Sequence, residues 1–98
     1  MAETKTQSKS RTRLKYPNRF NVVFHNDDYT PMEFVIHLLL EVFNKNIDQA
    51  RDITMAIHTE GRAIAATYSL EIAQQKTHES SLLSRHAGHP LIVSYEQV

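Results

Sequence analysis

The spacing of apolar positions changes along this chain, and each change marks an element. Phe20-Asn21-Val22-Val23-Phe24-His25 is β-branched and aromatic, which predicts a strand. Phe34, Val35, Leu38, Leu39 and Val42 recur every three or four positions, which predicts a helix from Thr30 to about Asn44. Ile36, Leu40 and Phe43 widen its apolar face, so this helix is expected at the centre of the core. Thr30 suits the cap, Pro31 the first helical position, and Glu33 completes a capping box with Thr30. Asp48 is expected to cap a second helix running to about Thr59, with Gly61 as its stop. Arg62 to Tyr68 reads as a short strand. Ser69 is expected to cap a third helix that runs through Ile72, Ala73 and Leu83 and ends at Gly88, with Pro90 beyond. Leu91 to Tyr95 reads as a last strand. The order β-α-α-β-α-β predicts an α+β fold, a small three-stranded antiparallel sheet packed against three helices.

Ninety-eight residues make one domain with a modest core. A hydrophobic content of 41%, two glycines and three prolines describe an ordinary soluble globular domain. The absence of cysteine excludes disulfide and thiolate chemistry and fits a cytoplasmic protein. No apolar stretch near the start resembles a signal peptide, and no apolar run approaches the ~20 residues of a membrane span. The zero net charge hides an asymmetry. Residues 1–16 carry a net +4 and the remainder a net −4. Residues 1–16 are therefore read as a flexible polar extension and 17–98 as the core. A basic arm allows nucleic-acid binding in principle. Five charges without interleaved aromatics are a weak footprint, however, and the acidic body repels phosphate. The reading is of no nucleic-acid partner.

The densest chemistry lies in His25-Asn26-Asp27-Asp28-Tyr29-Thr30-Pro31-Met32-Glu33. Two carboxylates and an amide sit between a strand and a well-marked helix start, a rigid mount suited to something cationic. Turn chemistry is the plain alternative for Asp27 and Asp28. Met32 and Val35 share a face of the first helix, and Thr54, Ile57 and His58 share a face of the second. If these helices pack side by side, the two faces line one cleft with Asn26, Asp27 and Asp28 at its mouth. Such a rim accepts hydrogen bonds from an ammonium group beside an apolar side chain, as at a peptide's free N-terminus. An aromatic side chain burying ~150–250 Å² contributes about 4–6 kcal/mol. Each charge-assisted hydrogen bond adds ~1.5–3 kcal/mol. After the cost of association, a dissociation constant around micromolar is expected.

Asn26-Asp27-Asp28-Tyr29-Thr30-Pro31-Met32-Glu33-Phe34-Val35, His58 ahead of Gly61, and His89-Pro90-Leu91 together resemble the ClpS family, adaptors that deliver N-degron substrates to the Clp AAA+ protease. The resemblance covers roughly residues 17–98. It implies that Asn26, Asp27, Asp28 and His58 hold a substrate's α-amino group. It also implies that Met32 is a gatekeeper against β-branched residues. Thr30, Val35, Ile57 and Leu91 match positions lining a pocket for Phe, Tyr, Trp or Leu. Glu71 and Lys76 match positions that dock the N-domain of a ClpA-type unfoldase. A monomer, with no cofactor and no membrane partner, is implied as well.

The chain departs from the family pattern at two places. Thr54 stands where a bulky apolar residue is common, and its hydroxyl can turn back to a helix carbonyl. His25 stands where an aliphatic residue is common; it and His37 are read as partly exposed and without a role. His78, His86 and His89 lack a zinc-like spacing. A small hydrolase using Asp28 and His58 is the enzymatic alternative, but no serine lies in a nucleophile-elbow context and no oxyanion-hole loop is evident. A non-catalytic adaptor is the reading carried forward.

Overall fold

Val22, Val23 and Phe24 are consecutive and have no solvent exposure. Side chains alternate between the faces of a strand, so three buried in a row need cover on both faces, and β1 (Arg19–His25) is the middle strand with a neighbour on each edge. The computed structural model describes residues 18–98, so the expectation of a flexible extension at residues 1–16 lies outside the described residues. β1 is followed by α1 (Met32–Glu41), α2 (Ile47–Glu60), β2 (Arg62–Ser69), α3 (Leu70–His86) and β3 (Ile92–Gln97). The sheet order is β2-β1-β3, antiparallel throughout. The expected fold class and element order are both present.

Alternation along β1 sorts its two faces. Val22 and Phe24 enter the main core with Val35, Leu38, Leu39 and Phe43 of the α1 region. Phe24 meets Phe43 edge to face at 5.4 Å. The opposite face carries polar cross-strand pairs, Thr67 to Asn21 at 2.7 Å and His25 with Ser94 at 2.7 Å. Val22 opposes Ala66 while Val23 opposes Ile64, which leaves Ala65 as the extra residue of a bulge in β2.

Several helix ends differ from the sequence reading. Pro31, not Thr30, occupies the cap of α1, and no side chain caps it there. Asp27 has already taken the Thr30 hydroxyl and amide, so no capping box forms with Glu33. α1 stops at Glu41, three residues before Asn44, and Asn44 turns the chain with φ 55°. Lys76 of α3 donates its ammonium to the Val42 carbonyl at 2.8 Å, holding that end of the helix. Asn46, not Asp48, caps α2, in a reciprocal box with Gln49. Asp48 instead sits in the first turn, where its charge complements the helix dipole. Ser69 stands at the cap of α3 but makes no capping hydrogen bond.

α3 also buries a different face from the one its large residues suggest. Ile72 and Leu83 are 39% and 42% exposed. Ala73, Ser80 and Ser84 are the buried positions, and their small side chains let the helix lie close on the sheet. Among the described residues no helix is long and apolar enough to cross a membrane.

The turn between α2 and β2 has the tightest backbone requirement. Gly61 adopts φ 90°, its N–H bonds to the Ile57 carbonyl at 2.9 Å, and its own carbonyl accepts from Asn26 N–H at 2.9 Å. A Cβ there would meet nothing within 4 Å, so the penalty for Gly61→Ala is conformational. We expect Gly61→Ala to lower stability by about 1–2 kcal/mol. Urea unfolding should show this as a lower midpoint with an unchanged slope.

Candidate functional site

The end of β1, the start of α1 and one face of α2 enclose a cleft of about 260 Å³. Its inner wall is Val35 of α1, Thr54 and Ile57 of α2, and Leu91 ahead of β3, all of them buried. Met32, the first residue of α1, stands at the entrance and is 39% exposed. Asn26, Asp28 and His58 are exposed polar residues of the rim.

Local structure explains each position. His58 lies in the last turn of α2, three residues before Gly61. Asn26 is bonded through its backbone to Gly61, so the same turn holds both residues. Leu91 is placed by the loop after α3, where His89 N–H bonds to the Ser84 carbonyl at 2.9 Å and Ser84 Oγ donates to the His89 carbonyl at 3.0 Å. The His89 ring also packs edge to face on Phe34, 4.7 Å between centroids.

The two neighbouring aspartates have different surroundings. Asp27 Oδ1 accepts from the backbone N–H groups of Tyr29 and Thr30 at 2.8 and 2.7 Å, and Oδ2 accepts from the Thr30 hydroxyl at 2.8 Å. Partial burial pushes the Asp27 carboxyl up, but the Thr30 and Tyr29 amides, the Thr30 hydroxyl and nearby His89 outweigh it, and the net shift is downward from 3.8. Asp27 is thus an ionised carboxylate committed to the loop. Among the described residues, the side chains of Asn26, Asp28 and His58 have no hydrogen-bond partner. Three unengaged acceptor-bearing groups therefore surround one opening.

The residues singled out for amine binding, Asn26, Asp27, Asp28 and His58, all border this cleft. So do Thr30, Met32, Val35, Thr54, Ile57 and Leu91. Glu71 and Lys76 do not; they lie on α3, Glu71 exposed in its first turn and Lys76 engaged with Val42. His25, read from sequence as having no role, borders the cleft, with Nε2 held by Ser94 Oγ. Its position at the last residue of a central strand, beside Asn26, was the available signal. The Thr54 hydroxyl does not turn back to a helix carbonyl; it is buried and has no partner. Among the described residues no group of three or more His, Asp or Glu side chains could hold a metal ion.

The profile of the family described as ATP-dependent Clp protease adaptor protein ClpS matches residues 15–94. This chain belongs to the ClpS family. It is 47% identical over 90 residues to the ATP-dependent Clp protease adapter protein ClpS of Vibrio atlanticus (strain LGP32), covering 92% of this chain and 85% of that protein. It is 47% identical over 85 residues to the ClpS of Leptospira biflexa serovar Patoc, covering 87% and 75%. Among solved structures, Agrobacterium tumefaciens ClpS2 bound to L-phenylalaninamide superposes with a TM-score of 0.81 at 36% identity, covering 84% of this chain and 99% of that one. The three-stranded sheet and three helices described above are the ClpS fold.

In this ClpS-family chain the Asp27 turn fixes the loop that carries Asp28. Replacing Asp27 by Ala should cost about 0.5–2 kcal/mol, as for loss of a capping side chain. The sign of the pH effect follows from the lowered native pKa. The ionised Asp27 stabilises the fold above its ordinary value of 3.8, and that contribution is lost as pH falls below 3.8 through the depressed native value. Chemical denaturation at pH 2 to 6 should therefore show an acid loss of stability that is smaller in Asp27→Ala.

Proposed function

We propose that this protein is a non-catalytic adaptor that captures proteins by a free N-terminal residue with a bulky hydrophobic side chain (Phe, Tyr, Trp or Leu) and delivers them to a ClpA-type unfoldase for degradation by the Clp protease. The observation that carries this reading is the opening ringed by the unengaged side chains of Asn26, Asp28 and His58 above a buried apolar wall. An α-ammonium group donates three hydrogen bonds, and the rim presents three groups able to accept them. The asymmetry of the aspartates supports direct contact by Asp28, whose oxygens are unengaged. Asp27 acts by holding the loop. L-phenylalaninamide, the ligand of the Agrobacterium tumefaciens relative, has the same two parts, an α-amine and an apolar aromatic side chain.

Binding without chemistry is favoured over hydrolysis because, among the described residues, no serine borders the cleft. The Thr30 hydroxyl is given to Asp27, and Thr54 is buried in the wall. Delivery is assigned to α3 through Glu71 and Lys76. These residues are five apart, about 140° around the helix by its geometry, so a docking domain that touches both straddles α3. The proposed setting is cytoplasmic and monomeric, with no nucleic-acid partner.

The deciding experiment compares a Phe-initiated peptide with its N-acetylated form by fluorescence anisotropy. Acetylation removes the charge and its hydrogen bonds, and the expected loss is about 3 kcal/mol, roughly a hundredfold in Kd. Equal binding of the two peptides would refute the amine reading. Met32 at the entrance narrows the way in. Met32→Ala is expected to raise affinity for Ile- and Val-initiated peptides while leaving Phe within a fewfold, as read by the same titration.

A further inference from the structure

Three hydroxyls among the described residues are buried without a hydrogen-bond partner: Thr54, Thr77 and Ser80. Thr77 and Ser80 belong to α3, and Ser80 lies on its buried face. Thr54 alone borders the cleft. It is 5% exposed, and neither a helix carbonyl nor a neighbouring side chain takes its Oγ1. A buried hydroxyl left without a partner is unfavourable, and a ligand that supplies one gains selectivity from it.

We infer that Thr54 is a specificity-determining residue of the cleft and that its hydroxyl selects an N-terminal tyrosine over phenylalanine. The inference rests on the α-amine reading above and deepens it. Thr54 precedes His58 by four residues on α2, one turn and about 6 Å along the helix axis. With the amine held at the rim beside His58, an aromatic side chain runs inward past Ile57 to the level of Thr54. A tyrosine carries its hydroxyl at the far tip of the ring, the part that meets the wall. Threonine in a helix divides between two χ1 rotamers. Because no bond holds the present one, a χ1 turn that brings Oγ1 to the cleft breaks no hydrogen bond. Two hydroxyls pair with either as donor, so tyrosine satisfies Thr54 in both directions. The indole N–H of tryptophan lies on the side of its ring, nearer the entrance, and only donates. A site with an unfilled hydrogen-bonding group rejects a ligand lacking the match more strongly than an apolar wall rejects an added hydroxyl.

The test uses the full chain and peptides identical except for a first residue of Tyr, Phe or Trp. The wild-type protein should bind Tyr more tightly than Phe by roughly fivefold, the worth of one net hydrogen bond. Thr54→Val keeps the shape and removes the hydroxyl. It should bring Tyr and Phe together by weakening Tyr, whereas Thr54→Ser should retain the preference. A thermal melt of Thr54→Val at or above the wild-type midpoint would show that the fold is intact. Should that variant unfold, the Tyr-to-Phe ratios of the wild type and Thr54→Ser decide the matter. Equal affinities in the wild type, or a ratio unchanged by Thr54→Val, would overturn the inference while leaving the adaptor reading in place. A gain confined to Trp would overturn the tyrosine assignment. Failure of every peptide to bind the wild type would remove both readings.

Discussion

The hydrogen bond from Asn26 N–H to the Gly61 carbonyl joins the two halves of the cleft. Gly61 ends α2 with its own N–H on Ile57, and its carbonyl then anchors the first residue after β1. The amide of Asn26 and the imidazole of His58 come from residues 32 positions apart, yet one short turn sets both. That turn needs a left-handed backbone, which glycine adopts without a Cβ penalty. Burial of Val35 and Ile57 closes the wall behind it. The bond continues the β1–β2 ladder, which pairs His25 with Arg62, into the turn itself.

A second constraint divides labour between two adjacent carboxylates. Asp27 spends both oxygens on the Tyr29–Thr30 turn, and Asp28 keeps both. Ionised groups side by side repel each other, and the amides gathered around Asp27 offset part of that cost. The loop thus keeps one carboxylate as an internal support and leaves the other exposed and unengaged. A pair of identical residues acquires two environments through nothing more than which one faces the backbone donors.

The order of elements and the apolar face of α1 were legible in the sequence, because strand and helix periods are strong over Phe20–His25 and Phe34–Val42; the middle place of β1 in the sheet was not. The common border of the Met32–Val35 and Thr54–His58 faces followed from helical spacing once adjacent packing was assumed. Helix caps were read less well. Thr30 looked like a cap because Glu33 follows it, but Asp27, a charged acceptor three residues earlier, competes for the same hydroxyl and holds it. Asn46 was passed over for Asp48, although Gln49 stands three residues after it. The buried face of α3 was not read from the sequence, because small residues make the contact there and hydrophobicity does not register closeness of approach. The unpartnered state of Thr54 is a property of its surroundings, which no local pattern encodes.

α1 is a beam fixed at both ends. Its first turn hangs from the Asp27 loop, and beyond its last turn the Lys76 ammonium grips the Val42 carbonyl. Ten residues are too few for a helix to persist without such supports. Met32 rides on the near end of this beam, so its backbone has little room to swing. What remains mobile is the unbranched thioether side chain, whose rotamers interconvert in picoseconds to nanoseconds when exposed. A gate at Met32, as proposed, is a fast latch on a stiff frame, opened by bond rotation in a single residue and not by movement of a lid.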